Sequence, residues 1–78
     1  MAHYEINARR LLCPMPVIKT QNMSKTLEHG DTLTVIATDP GAQHDLPCWC
    51  RINGHQVIES KEMDGEFHIT LQLIKEGE

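Results

Sequence analysis

Apolar and polar positions along the chain fall into six short blocks. Residues 66–75, EFHITLQLIK, place Phe67, Ile69, Leu71 and Leu73 at every second position with His68, Thr70 and Gln72 between them. That period of two is the mark of a strand with one packed and one wet face. Residues 56–62, QVIESKE, precede it across Asp64-Gly65, a strong hairpin signal. Residues 32–38, TLTVIAT, are rich in β-branched side chains and read as a central, mostly buried strand. Residues 3–7, HYEIN, alternate as a short first strand, and residues 8–12 form the loop after it.

Two blocks have helical spacing. From Pro14 to about Glu28, Val17, Thr20, Met23 or Ser24 and Leu27 recur every three or four residues, and Gly30 supplies a stop. After a turn-like DPGAQHD, Asp45 is expected to cap a second helix with Pro47 in its first turn, running to about Asn53 before Gly54. The order is βαβαββ. Right-handed crossovers would place both helices on one face of a four-stranded sheet, which suits a small α/β or α+β sandwich.

Composition narrows this picture. The chain has 78 residues, of which 40% are apolar and only 4% aromatic, so one domain over residues 1–78 must rest on aliphatic packing between two layers. A formal net charge of −4, with seven scattered Lys and Arg, argues against direct nucleic-acid binding. No apolar run reaches membrane-spanning length and the N-terminus lacks a secretory core, so a soluble cytoplasmic protein with no membrane contact is expected. Three cysteines cannot all pair within one chain, and free thiols fit the cytosol.

The candidate chemistry lies in LLCPMPVIKT, residues 11–20. If Pro14 opens the first helix, Cys13 is its N-cap, and the positive helix end should favour the thiolate. Pro16 falls in the same turn, where a missing N–H costs little, so the two prolines stiffen the sulfur's setting. Arg9 and Arg10 just upstream add cationic charge that would favour a thiolate or an anionic sulfur adduct. Cys13 beside Leu11 and Leu12 reads equally well as a small buried apolar residue, and the residues alone leave both open. The five histidines, at positions 3, 29, 44, 55 and 68, define no catalytic triad. Sulfur exchange at a thiolate would need none.

Cys-Pro-x-Pro at Cys13, Pro14 and Pro16, with Asp39-Pro40 and Asp45-Leu46-Pro47 at matching spacing, resembles the TusA/SirA family of small sulfur carriers over nearly the whole chain. The resemblance implies an α/β two-layer sandwich, βαβαββ with a four-stranded mixed sheet and both helices on one face, and a sulfurtransferase-type carrier that holds sulfur on Cys13 as a persulfide. It implies a cysteine desulfurase or rhodanese-type donor and a DsrE- or TusD-like relay acceptor, in tRNA 2-thiouridine synthesis or in sulfur oxidation. The family usually has Asp-x-Arg-Gly-Leu before the cysteine; here Asn7 and Arg10 replace its Asp and Gly, while Arg9 and Leu11 are kept. The more cationic loop is expected to favour an anionic adduct such as thiosulfonate. A noncatalytic interaction module on the same fold is the alternative.

The remaining candidates read as structural. Cys50 shares the inward side of the second helix with Leu46 and Trp49, and Cys48 points away; either could instead be a resolving thiol. His44, Cys48, Cys50 and His55 have metal-ligating chemistry but no familiar zinc spacing, so neither a metal nor a cofactor is expected. Asp39 and Asp45 read as turn and cap residues, Lys61-Glu62 and Lys75-Glu76 as solvated charge, and an exposed helix start suits a monomer that docks transiently.

Overall fold

The computed structural model describes residues 2–75. The elements are β1 (His3–Ala8), α1 (Met15–Ser24), β2 (Thr32–Ala37), α2 (Pro40–Asn53), β3 (Gln56–Met63) and β4 (Glu66–Gln72), in the expected βαβαββ order. The sheet runs β1-β2-β4-β3, with β1 parallel to β2 and both other pairings antiparallel. Successive right-handed crossovers advance across such a sheet in one direction and lay both helices on one face.

That face carries the core. Ile6 and Ala8, Leu33, Val35 and Ala37, and Phe67, Ile69 and Leu71 project from three strands onto Ala42, Leu46 and Cys50 of α2 and onto Leu27 and Leu73. The period of two in β4 is obeyed, with Phe67, Ile69 and Leu71 buried and His68, Thr70 and Gln72 half-buried on the other side. There, Thr34 and Thr70 share a hydroxyl hydrogen bond of 2.8 Å across β2 and β4. Edge strand β3 is mostly exposed, and its charged side chains and a bulge between Val57 and Glu59 discourage further pairing.

Helix α1 differs from its expected limits at both ends. Its N-cap is Pro14, without a side-chain cap, and Cys13 lies one residue outside. At the other end Ser24 Oγ and Thr26 Oγ1 donate to the carbonyls of Gln21 and Met23. Such back-bonding competes with the helical ladder, and the helix stops at Ser24 rather than near Glu28. The ammonium of Lys75, which reads from sequence as solvated charge, donates to the carbonyls of Ser24 and Leu27 and so satisfies this helix end. Its neighbour Glu76 lies outside the described residues.

Helix α2 begins six residues earlier than a cap at Asp45 would place it. Asp39 is the N-cap, accepting the Gly41 N–H at 3.2 Å, and Pro40 takes the first position. Only this longer helix brings Ala42 into the buried stripe Ala42, Leu46, Cys50, spaced four residues apart. Pro47 therefore lies inside the helix, where it removes one backbone hydrogen bond. The C-terminus follows expectation, with Gly54 in the left-handed region at φ 78°.

In the loop between β1 and α1, Asn7 Oδ1 accepts the Arg9 N–H at 3.1 Å and Thr38 Oγ1 accepts the Arg10 N–H at 2.8 Å. Arg10 has φ 68°, a conformation natural to glycine and costly for a side chain. Arg10→Gly should thus stabilise the fold by about 0.5–1 kcal/mol in denaturant unfolding. Asp39→Ala should cost about 1–2 kcal/mol through loss of the cap, whereas Asp45→Ala should stay within about 0.5 kcal/mol. Equal losses at the two aspartates would contradict this assignment of the helix start.

Candidate functional site

The site forms where the loop after β1 meets the first turn of α2. Cys13 donates its backbone N–H to Asp39 Oδ2 at 2.8 Å, while the other oxygen of the same carboxylate accepts the Gly41 N–H. One side chain thereby ties the cysteine loop to the start of the helix. The sulfur then packs against Gly41, closely enough that a Cβ there would lie 3.2 Å from Sγ and 3.6 Å from Asp39 Oδ2. A residue without a side chain makes room for the thiol.

Asp45 completes the surround. It lies four residues after Gly41, hence on the same side of α2, and helical side chains lean toward the N-terminus. The thiol feels both the Asp39 and the Asp45 carboxylates. Asp39 is held as the anion by the N–H groups of Cys13 and Gly41, which keep its carboxyl below the usual range.

The electrostatics are opposite to the sequence expectation of an activated thiolate. Partial burial and the two carboxylates push the Cys13 thiol up to about 11. The reason is positional. Cys13 is not the cap of α1, and its sulfur packs against the start of α2, whose Gly41 N–H is already taken by Asp39. Little positive helix end is left for a sulfur anion.

Arg9 does not supply the missing positive charge freely. Its guanidinium makes a two-point pair with Glu66 at the start of β4, Nε to Oε2 at 2.6 Å and Nη2 to Oε1 at 3.2 Å. The pair, together with His68, holds the Glu66 carboxyl below its ordinary range. Arg10 is exposed, with its backbone anchored on Thr38. Pro16 occupies the second position of α1 and is buried, so it fixes the direction of the helix that follows the cysteine.

Exposed apolar side chains lie close to the cysteine along the chain. Leu12 is 75% exposed, and Met15 and Ile18 show their outer faces one turn apart on α1. The other cysteines lie elsewhere. Cys50 is buried in the core, where desolvation pushes its thiol up to about 11. Cys48 is half-buried, with the Arg51 guanidinium at 3.5 Å and the His44 ring at 3.9 Å. His55 stacks near Trp49, ring centroids 5.2 Å apart, and accepts the Ile74 N–H at 3.0 Å. These residues are distributed between core and surface rather than gathered on one point.

In sequence Cys13 stands out; Asp39 and Asp45 read as turn and cap residues, which Asp39 is, and Gly41 carries no signal of its own. The spacing of Gly41 and Asp45, one helical turn apart after Asp39-Pro40, was the available signal. It becomes legible only once α2 is known to start at Pro40.

Comparison with known proteins agrees with this architecture. The family model described as sulfurtransferase TusA matches residues 4–73. The sulfur carrier protein TusA of Allochromatium vinosum is 35% identical over 68 residues, covering 87% of this chain and 90% of that protein. Its namesake from Pseudomonas paraeruginosa is 39% identical over 62 residues, covering 80% and 78% respectively. The crystal structure of a SirA-like protein from Desulfitobacterium hafniense superposes with a TM-score of 0.82 at 27% identity, covering 92% of this chain and 99% of that one. With a family model spanning β1 to the end of β4 and the same fold in a solved relative, the chain belongs to the TusA family.

Proposed function

We propose that this chain is a sulfur carrier that accepts sulfane sulfur on Cys13 as a persulfide and passes it to a protein acceptor. The observation that carries the reading is the placement of Cys13 in Cys-Pro-x-Pro, its sulfur half-buried against Gly41 at the α2 start, with exposed apolar residues close to it along the chain. Relatives that share most of the chain's length are named sulfur carrier proteins. The donor in this reading is a cysteine desulfurase or a rhodanese-type protein, and the acceptor a DsrE- or TusD-like relay protein. Such a chain would serve either tRNA 2-thiouridine synthesis or sulfur oxidation.

The raised thiol suits a carrier better than a free-standing catalyst. The nucleophile in sulfur exchange is the thiolate, and a thiol pushed up to about 11 is almost wholly neutral at pH 7. Small electrophiles in bulk solution therefore meet an unreactive group. Leu12, Met15 and Ile18 provide a surface on which a partner can seat, excluding water and bringing its own charges to the sulfur. The Arg9 pair with Glu66 and the burial of Pro16 hold the loop that presents the cysteine. No helix among the described residues is long and apolar enough to cross a membrane.

Incubation with a desulfurase and cysteine, or with a rhodanese and thiosulfate, should add about one sulfur to the wild type by mass spectrometry and none to Cys13→Ser. Absence of any Cys13-dependent adduct with either donor would leave the noncatalytic interaction module as the reading. A second outcome follows from the direction of the thiol shift. Because the protonated form is favoured up to about pH 11, the alkylation rate of Cys13 should climb roughly tenfold per pH unit from 7 through 10. A plateau beginning below pH 8 would show an activated thiolate instead.

A further inference from the structure

At the end of the sheet away from Cys13, where β2 begins opposite the last residue of β4, the chain leaves β4 and is gripped from several sides. Leu73 is fully buried, its N–H donating to the Asp31 carbonyl at 2.9 Å and its carbonyl accepting the Gly30 N–H at 2.8 Å. The next two N–H groups are held by side chains. Ile74 donates to Nδ1 of His55, in the turn between α2 and β3, at 3.0 Å, and Lys75 donates to Nδ1 of His29, in the loop between α1 and β2, at 2.9 Å. The Lys75 ammonium then reaches the carbonyls of Ser24 and Leu27 at the end of α1.

Two consecutive backbone N–H groups thus end on imidazoles from two different connections. An imidazole accepts a hydrogen bond at Nδ1 only while that nitrogen is bare, and the neutral ring then carries its proton on Nε2. A second proton can go only to Nδ1, where the backbone N–H is already seated, so proton and amide compete for one lone pair. His55 is half-buried beside the Trp49 ring, and burial together with the Lys75 ammonium keeps it neutral to a lower pH than an ordinary imidazole. His29 is exposed, with Glu28 and Lys75 lining the same cleft. The other charge nearby, Asp31, directs its two oxygens to the N–H groups of Ala2 and Glu28.

We propose that residues 73–75 form an acid-released clasp: at neutral pH the uncharged rings of His29 and His55 hold the Lys75 and Ile74 N–H groups, and a proton on either ring displaces the group it holds. Release has a second push, because an imidazolium at either place stands close to the Lys75 ammonium and repels it from the end of α1. What remains is the Gly30–Leu73 bridge. The sign follows from the neutral ring being the form the fold selects at His55. Its contribution is complete above the ordinary imidazole value of 6.5 and is lost as pH falls below it. The clasp is built wholly from groups remote from Cys13, so it stands apart from the carrier reading.

The test follows the backbone amide protons of Ile74 and Lys75 by NMR in the full chain from pH 7.5 to 5.0, alongside the ring protons of the histidines. Both amides should shift upfield as their hydrogen bonds are lost, Ile74 with the midpoint of the His55 ring and Lys75 with that of His29. His55→Asn supplies an amide oxygen that accepts the same N–H and takes no proton. In that variant the Ile74 amide should stay fixed while Lys75 still titrates, and His29→Asn should do the reverse. Over the same range the folded-to-unfolded ratio should fall about threefold less in His55→Asn than in the wild type. Amides that stay fixed while the His29 and His55 rings titrate overturn the proposal. So does an Ile74 amide that titrates in His55→Asn as in the wild type, or a Lys75 amide that does so in His29→Asn; either variant suffices if the other does not fold.

Discussion

The carboxylate of Asp39 is the constraint on which the rest of the site depends. One oxygen accepts the N–H of Cys13 and the other the N–H of Gly41, so a single side chain fixes a loop from one crossover against the helix of the next. Charge-assisted bonds of this kind are stronger than neutral ones and directional. Through them the sulfur comes to rest on Gly41, the residue of the α2 first turn that has no side chain. The same bonds consume the positive end of α2, which is why the thiol is surrounded by acceptors instead of donors. The helix start and the chemistry of the cysteine are set by one group.

The neighbourhood of the sulfur also shows how little the sign of nearby sequence charge says about local potential. Two arginines precede the cysteine within four residues. The first is drawn to Glu66, almost sixty residues further along, and helps anchor the loop to β4. The second occupies a backbone conformation natural to glycine, so it adds strain to the turn as well as charge. Meanwhile the two aspartates that flank the sulfur come from a different element altogether. Burial and partner geometry, more than spacing along the chain, decide which charge a group feels.

Much of the fold was legible in the pattern of side chains. The alternation of Phe67, Ile69, Leu71 and Leu73, the β-branched run of β2 and the Asp64-Gly65 turn are local signals whose periods map directly onto burial. Cys13 as the centre of the site was legible too, through its prolines and the Cys-Pro-x-Pro resemblance. Helix limits were less so. Two Asp-Pro signatures compete for the start of α2, at Asp39-Pro40 and around Asp45 and Pro47, and only the sheet, by burying Ala42, selects the first. The end of α1 was hidden for a similar reason, because hydroxyl back-bonding at Ser24 and Thr26 leaves no trace in hydrophobic period. The raised thiol was beyond reach of the sequence, since it comes from contacts between residues 13, 39 and 45.

The sheet order β1-β2-β4-β3 has a consequence for how the chain reaches its final state. Strand β4 is made after β3 yet lies between β2 and β3, so neither of those strands has its inner neighbour until β4 is inserted. Local contacts of α1 and α2 can form early, but closure of the sheet waits for long-range pairing, the slow kind of step in chain collapse. Until β2 pairs with the β3–β4 hairpin, the open edges of β2 and β4 face each other, a shape open to pairing with other chains. Glu66, the anchor of Arg9, opens that same late strand. The loop that presents the cysteine is thus secured by the final stitch of the sheet, and a chain caught before it would display its thiol without the frame that tames it.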